Sequence, residues 1–180
     1  MTNFWTKLPK PFTVLAPMDN VTDMAFREMV SPNLPKPDVV FTEFVNVDAI
    51  VHGALDKLKY SEQQRPIVAQ IWGVNLASLE QAAKIVQNLG FDGVDINMGC
   101  PVKDVVKLGG GAALVKNPKI AVAIIKAVMK GARNIPVSVK TRLGADFEAL
   151  LKTDIAALTI HGRTPNQMSK GLADWESIGK

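Results

Sequence analysis

Short apolar runs alternate with longer segments of helical period along the chain. The runs are rich in aliphatic and β-branched residues, as buried strands are, whereas apolar residues in the intervening segments recur every three or four positions. The runs lie at Thr13–Ala16, Val39–Glu43, Ile67–Gln70, Gly93–Asn97, Val137–Thr141 and Ala157–His161. The pattern therefore predicts six strands separated by helices.

The clearest helix is predicted over Ser78–Leu89. Ser78 and Gln81 have the spacing of a capping box, and Gly90 follows the last apolar position. A second helix is predicted over Lys119–Arg133. Strongly apolar strands that alternate with helices are typical of parallel βα units whose helices pack outside the sheet.

The spacing of the strands narrows the fold class. The first four begin about 26 to 28 residues apart, which is the pitch of a TIM (β/α)₈ barrel. We therefore predict an α/β fold, a barrel of parallel strands of which this chain covers about the first six βα units, in a single domain over residues 1–180.

Polar residues cluster where the predicted strands end. They are Pro17-Met18-Asp19-Asn20, Glu43, Gln70, Asn97 with Cys100, Lys140 with Arg142, and His161-Gly162-Arg163-Thr164. The carboxyl ends of barrel strands converge on one mouth, where barrel enzymes hold their substrates. Because the strands are otherwise apolar, this clustering predicts a binding site.

Composition and charge set limits on the class of protein. Of the 180 residues, 47% are hydrophobic and 21% charged, as in ordinary globular domains. No apolar stretch approaches bilayer length, and the amino terminus lacks the apolar core of a signal peptide. With one cysteine, the chain is expected in the reducing cytoplasm, without a membrane partner or a metal site. The net charge of +4 permits a polyanionic partner without requiring one.

Cys100 is the only cysteine and follows the fourth predicted strand in a loop marked by Gly99 and Pro101. Free cysteine is often a small buried hydrophobe. Its position at the barrel mouth favours a chemical role instead.

Four ordered motifs resemble the signatures of the tRNA-dihydrouridine synthase family. They are Ala16-Pro-Met-Asp-Asn-Val-Thr-Asp23 with Phe26-Arg27, Asp95-Ile-Asn-Met-Gly-Cys-Pro101, Val139-Lys-Thr-Arg-Leu-Gly144 and Leu158-Thr-Ile-His-Gly-Arg-Thr164. The resemblance implies a barrel enzyme that binds flavin mononucleotide (FMN) and reduces the 5,6 double bond of specific tRNA uridines with NADPH. A complete member is expected to be a monomer.

The resemblance also implies roles for individual residues. Pro17 and Met18 would place backbone against the isoalloxazine, and the flavin ring would be contacted by Gln70, Lys140 and His161. Asn97 would hydrogen-bond the uracil edge, and Arg142 would contact the target nucleotide. Arg163 would contact the flavin phosphate or tRNA, or brace its loop.

The residue types agree with this chemistry. Hydride transfer to C6 of uracil leaves negative charge over C5 and O4, so a proton donor is needed at C5. A free thiol with a pKa near ~8.5 is mostly protonated at neutral pH, which makes Cys100 the predicted catalytic acid. A nucleophilic role is weaker because it requires a thiolate with a base beside it.

The run Gly109-Gly110-Gly111 invites comparison with a phosphate cradle, but no Lys-Ser or Lys-Thr follows it as in a P-loop. We predict instead a mobile loop that closes over substrate, with Lys103 and Lys107 available to tRNA phosphates.

The chain also departs from the family pattern. Complete members continue through two further barrel strands and a helical tRNA-binding domain, which are expected to be absent here, leaving an incomplete flavin-binding catalytic barrel. The interval Ala145–Asp154 is short, and Ser169 stands where many members have a tyrosine.

Two other interpretations remain open. The chain could be a non-catalytic truncated remnant, or a flavin oxidoreductase resembling dihydroorotate dehydrogenase, in which an Asn-x-x-Cys-Pro segment also occurs. The Val-Lys-Thr-Arg and His-Gly-Arg-Thr motifs argue against the second.

Overall fold

The computed structural model describes residues 3–31 and 35–179, which form a parallel sheet of six strands. The strands are β1 (Val14–Leu15), β2 (Val39–Asn46), β3 (Ile67–Trp72), β4 (Gly93–Asn97), β5 (Val137–Arg142) and β6 (Ala157–His161). Each strand pairs in parallel with the next along the chain. This sequential order is that of a barrel, and the predicted partial TIM barrel is confirmed.

Seven α-helices lie in the described residues. They are α1 (Met24–Val30), α2 (Val47–Val51), α3 (Leu76–Asn88), α4 (Lys103–Lys107), α5 (Pro118–Gly131), α6 (Phe147–Leu151) and α7 (Trp175–Gly179). The short α6 fits the short interval noted in the sequence. None of these helices is long and apolar enough to cross a membrane.

The predicted start of α3 is wrong. Asn75 caps the helix, and its Oδ1 accepts hydrogen bonds from the backbone N–H groups of Ala77 and Ser78. Ser78 therefore lies inside the first turn and is not the cap. Asparagine caps as well as serine does, so the earlier residue sets the boundary.

Two apolar clusters hold the sheet. The larger lies between the strands and the helices and includes Ile67, Val94 and Val139, all fully buried. The smaller lies inside the sheet's curve near the amino ends of the strands, where Trp5 packs against Phe41 with ring centroids 6.2 Å apart. Apolar side chains thus fill the inner face of the sheet at the amino ends of the strands, and polar side chains occupy it at the carboxyl ends.

Candidate active site

One cavity of about 580 Å³ lies at the carboxyl ends of the strands. The residues predicted to contact the flavin ring or the nucleotide, or to act as the acid, all line it: Pro17, Met18, Gln70, Asn97, Cys100, Lys140, Arg142 and His161. Arg163 does not line it. Phe44, Asp19 and Ser169 also contribute to its walls. The structure thus brings together residues separated by more than half the chain, and their individual roles stay predictions.

The strand register explains this convergence. Gln70 lies opposite Asp95, and Asp95 opposite Ser138, in one layer across three strands. One layer nearer the mouth, Asn97 lies opposite Lys140. Alternate residues of a strand face the same side, so these polar residues share the inner face.

A buried hydrogen-bonded set, here called the amide network, joins Ser138, Asp95, Gln70 and Asn97. The Ser138 hydroxyl donates to Asp95 Oδ1 at 2.6 Å, and Gln70 Nε2 donates to Asp95 Oδ2 at 2.7 Å. Asn97 Nδ2 donates to Gln70 Oε1 at 3.0 Å. The network therefore runs unbroken across three strands.

The far end of the amide network holds the backbone of Cys100. Asn97 Oδ1 accepts from the N–H groups of Gly99 at 3.1 Å and Cys100 at 2.9 Å. The Cys100 carbonyl accepts from Ala112 N–H at 2.8 Å. Cys100 is half-buried, and among the described residues its thiol has no hydrogen-bond partner. It is therefore fixed by its backbone with its sulfur at the cavity wall, unlike a buried core cysteine.

Asp95 is the functional candidate that the sequence reasoning missed. Burial raises the pKa of Asp95 to about 6, although the hydrogen bonds from Ser138 and Gln70 and the charge of Lys140 act in the opposite direction. A carboxylate in the middle of an otherwise apolar strand was the available signal, since buried charges are rare unless they are partnered.

This pKa gives stability a defined pH dependence. The folded protein holds the Asp95 proton more tightly than the unfolded chain, so this group's contribution to the free energy of unfolding falls as pH rises from about 4 to about 6. We expect Asp95→Asn to remove the dependence, so that its stability relative to the parent rises across that window by at most about 3 kcal/mol. Urea unfolding at several pH values measures this; parallel pH profiles for parent and variant would contradict it.

Lys140 offers an unpaired cation to the cavity. No residue in the described ranges hydrogen-bonds its Nζ, and burial lowers the pKa of Lys140 while the charge of Asp95 partly offsets this. Lys140 is half-buried, and withdrawing an ammonium from water without a protein partner is costly unless a ligand acceptor meets it.

His161 is held in one neutral form. Burial and the neighbouring cations Arg142, Lys140 and Arg163 lower the pKa of His161 to about 4. Arg163 Nη1 lies 3.1 Å from His161 Nε2, and arginine can only donate, so Nε2 accepts and Nδ1 carries the proton. At neutral pH the ring is therefore an uncharged donor through Nδ1.

The two arginines brace the loops around the cavity. Arg142 Nε donates to the Gly99 carbonyl at 2.6 Å and Nη1 to the Met168 carbonyl at 2.7 Å, tying the loops after β4 and β6 together. Within the described ranges only its Nη2 is left without a partner. Arg163 donates twice to the Gly171 carbonyl, as the bracing alternative predicted.

The segment Pro17-Met18 is held in place by hydrogen bonds with Thr22. Met18 N–H donates to the Thr22 hydroxyl at 3.0 Å, and Thr22 N–H returns a bond to the Met18 carbonyl at 2.9 Å. Buried Arg27 in turn donates to the Thr22 carbonyl. The backbone predicted to meet the flavin is thus held rigidly, and Arg27 of the first motif supports it from inside the protein.

A buried carboxylate anchors the next residues of the same loop. Glu43 Oε1 accepts from Asn20 N–H at 2.7 Å and from Lys57 Nζ at 3.0 Å, and Lys57 also contacts Asp19 at 2.6 Å. Asn20 has a left-handed backbone with φ of 57°, a conformation that asparagine tolerates better than most residues. Glu43 therefore supports the cavity wall through its neighbours.

The glycine run packs closely against the Cys100 loop. A Cβ on Gly111 would lie 2.5 Å from the Cys100 carbonyl oxygen, and its φ of 55° is left-handed. Gly109 is also left-handed, with φ of 83°, but among the described residues a Cβ there would approach only Val74, at 3.6 Å. Close packing therefore requires a glycine at position 111, whether or not the loop moves as predicted from the sequence.

These two glycines form a matched pair for mutation. We expect Gly109→Ala to cost about 1 kcal/mol from backbone strain, and Gly111→Ala about 2 to 4 kcal/mol because it adds the clash. Only Gly111→Ala should also displace Cys100 and lower turnover, by about tenfold or more. Urea unfolding and steady-state rates of both variants measure this, and equal losses of turnover would show that the clash does not reach Cys100.

Comparisons with known proteins agree with the motifs and the fold. The sequence profile of the family described as Dihydrouridine synthase matches residues 14–180. A protein named "Probable tRNA-dihydrouridine synthase" from Staphylococcus aureus (strain COL) is 44% identical over 189 positions, covering 98% of this chain and 57% of that protein. "Probable tRNA-dihydrouridine synthase 2" of Bacillus subtilis (strain 168) is 45% identical with the same coverage.

The chain therefore spans somewhat more than half the length of these relatives. Among solved structures, the TIM-barrel protein morphinone reductase superposes with a TM-score of 0.57 at 12% identity, over 93% of this chain and 71% of that one. At this identity the likeness concerns the fold alone. The profile match and the identities above 40% place this chain in the dihydrouridine synthase family.

Proposed function

We propose that this chain forms the catalytic barrel of an enzyme that binds FMN and reduces the 5,6 double bond of uridines in tRNA, with NADPH as reductant. The observation that carries the proposal is the polarity of the cavity. Apart from the Ser169 hydroxyl, which can donate or accept, the side-chain groups that remain available to a ligand are N–H or S–H donors: those of Gln70, Asn97, Cys100, Lys140, His161 and Arg142. The Asp19 carboxylate in the wall is already paired with Lys57.

A wall of donors suits a ligand rich in acceptors. The pyrimidine part of a flavin and the ring of uracil both present carbonyl oxygens, which match the donors of Lys140, Gln70 and Asn97. The half-exposed Phe44 and the backbone of Pro17-Met18 add apolar and planar surface on the same wall. Both groups of the proposed reaction are thus compatible with the residues present.

In the proposed arrangement Lys140, Gln70 and His161 hold the flavin ring. The Lys140 ammonium stabilises negative charge on the pyrimidine part of the ring, because it is a fixed cation in a site shielded from water. When bound, reduced FMN supplies a hydride to C6 of the uracil.

Asn97 and Cys100 act on the substrate side. One N–H of Asn97 is left over by the amide network and donates to a uracil carbonyl, and Arg142 Nη2 is available to the nucleotide. The Cys100 thiol gives its proton to C5 as negative charge develops there, which completes the addition of one hydride and one proton. Solvent then restores the proton of the thiolate.

The tRNA substrate is supported by the names of the relatives and by the family. Lys103 and Lys107 are exposed on α4, which begins directly after the cavity-lining Val102, and they are available to phosphates. A cytoplasmic, monomeric enzyme is the expected context.

Incubation of the full-length protein with tRNA lacking dihydrouridine tests the proposal. With NADPH and FMN, we expect nucleoside mass spectrometry to show uridines that have gained two hydrogen atoms. Absence of product with flavin bound would favour a non-catalytic remnant. Reduction of quinones by dihydroorotate, without tRNA reduction, would favour the dihydroorotate-dehydrogenase alternative.

A further inference from the structure

The groups at the two ends of the amide network determine which atom donates and which accepts in each of its hydrogen bonds. At one end Asp95, with both carboxylate oxygens engaged, can only accept hydrogen bonds when ionised. At the other end the backbone N–H groups of Gly99 and Cys100 can only donate. Asn97 must therefore turn its oxygen to the loop, and Gln70 must turn its nitrogen to Asp95.

This direction decides what the two amides offer to a ligand. Gln70 Oε1 and Asn97 Oδ1 are both occupied inside the network, whereas each amide nitrogen keeps one N–H outside it. If either amide were reversed, a donor would face a donor in a buried site, at a cost of about 1 to 3 kcal/mol. The cavity therefore meets N–H groups and not carbonyl oxygens.

We propose that Asp95 is a positioning residue: it orients Gln70 and thereby, together with the backbone N–H groups of Gly99 and Cys100 at the other end of the network, sets the donor polarity of the active site and supports the Cys100 loop through Asn97. Asp95 is fully buried and lines no part of the cavity, so it acts only through these neighbours. Asp95 interacts electrostatically with Lys140, which lies opposite Asn97 in the strand register. The inference rests on the function proposed above.

The polarity also bears on substrate choice. In this arrangement the C4 carbonyl of uracil accepts the N–H of Asn97, whereas the C4 amino group of cytosine would place two donors face to face. A site with a buried unpaired donor rejects such a ligand strongly. Asp95 thereby contributes to selecting uridine over cytidine.

Moving the charge within the network tests the proposal. In Gln70→Glu, two facing carboxyl groups must share one proton, so we expect the network to hold at low pH and to break as pH rises. Adding Asp95→Asn returns a donor to that contact: Nδ2 of the new side chain donates to the introduced carboxylate, and its oxygen still accepts from Ser138. The double variant should hold at all pH values.

Activity on tRNA at pH values from about 5 to about 8 gives the first readout. We expect kcat/KM of Gln70→Glu to fall on the order of 10²-fold across that range relative to the parent, and the double variant to lose this extra fall. Asp95→Asn alone keeps the acceptor and should stay within about tenfold of the parent. Asp92→Asn, at the amino end of β4 where Asp92 bonds Ile67 N–H, is the matched control and should leave the pH profile unchanged.

The side-chain amide resonances of Asn97 give a readout independent of activity. They should keep the parent's positions in Asp95→Asn and in the double variant, and shift in Gln70→Glu as pH rises. A pH profile shared by Gln70→Glu and the double variant, or loss of folding in both, would overturn the role of Asp95. A parent protein that reduces no uridine while its Asn97 resonances follow this pattern would overturn the proposed function alone.

Discussion

Cys100→Ala should lose most uridine reduction while still accepting electrons from NADPH. We expect tRNA reduction to fall by on the order of 10²- to 10⁴-fold, the usual contribution of a general acid. The reason is the position of the thiol. Cys100 lies at the cavity wall, and its backbone is held by hydrogen bonds with Asn97 and Ala112. Among the described residues the thiol itself has no hydrogen-bond partner. Stopped-flow absorbance follows flavin reduction by NADPH and flavin oxidation by tRNA as separate phases.

The matched variant for this residue is Cys100→Ser. A hydroxyl keeps the shape but is a much weaker acid than a thiol, so the serine variant should also be slow while binding flavin like the parent. Flavin oxidation by tRNA at the parent's rate in Cys100→Ala would exclude the thiol as the acid. Loss of flavin reduction by NADPH in both variants would instead assign the thiol to the cofactor side.

Lys140→Ala should weaken flavin binding about 10- to 100-fold, because a hydrogen bond from a charged donor contributes about 1.5 to 3 kcal/mol. Reduction of the bound flavin should slow as well, since the variant lacks the cation beside the ring where negative charge develops. Fluorescence titration with FMN gives the affinity, and rapid mixing with NADPH gives the rate.

Lys103→Ala is the control for this change. Lys103 is an exposed lysine on α4 near the same mouth, so its loss changes the net charge equally without touching the cavity wall. Its FMN affinity should match the parent's. Equal affinities for Lys140→Ala and the parent would remove Lys140 from the cofactor site.

Sequence periodicity predicted the strands well because aliphatic residues recur in each of them. β4 and β6 have the predicted bounds, whereas β2 continues three residues further, to Asn46, through an irregular register after Phe41. Periodicity does not detect such an irregularity, since it depends on pairing with β3. The start of α3 was missed because serine and asparagine compete equally for the cap.

The members of the site were predictable, but their connections were not. Pro17 and Met18 were predicted from the family motif, whereas polar strand ends identified the other predicted residues of the cavity wall: Gln70, Asn97, Cys100, Lys140, Arg142 and His161. The amide network depends on strand register, which sequence alone leaves open, so Asp95 and Ser138 had no assigned role. Arg142 was expected to face the nucleotide, and only the structure shows that two of its nitrogens hold the loops together.

A single turnover without oxygen tests the proposed reaction most directly. The full-length protein, loaded with FMN and reduced, is mixed with tRNA that lacks dihydrouridine, and flavin absorbance and modified nucleosides are followed together. We predict one dihydrouridine for each flavin oxidised, with no oxidation when the tRNA is omitted. Flavin that stays reduced in the presence of tRNA, or that is oxidised without formation of dihydrouridine, would contradict it.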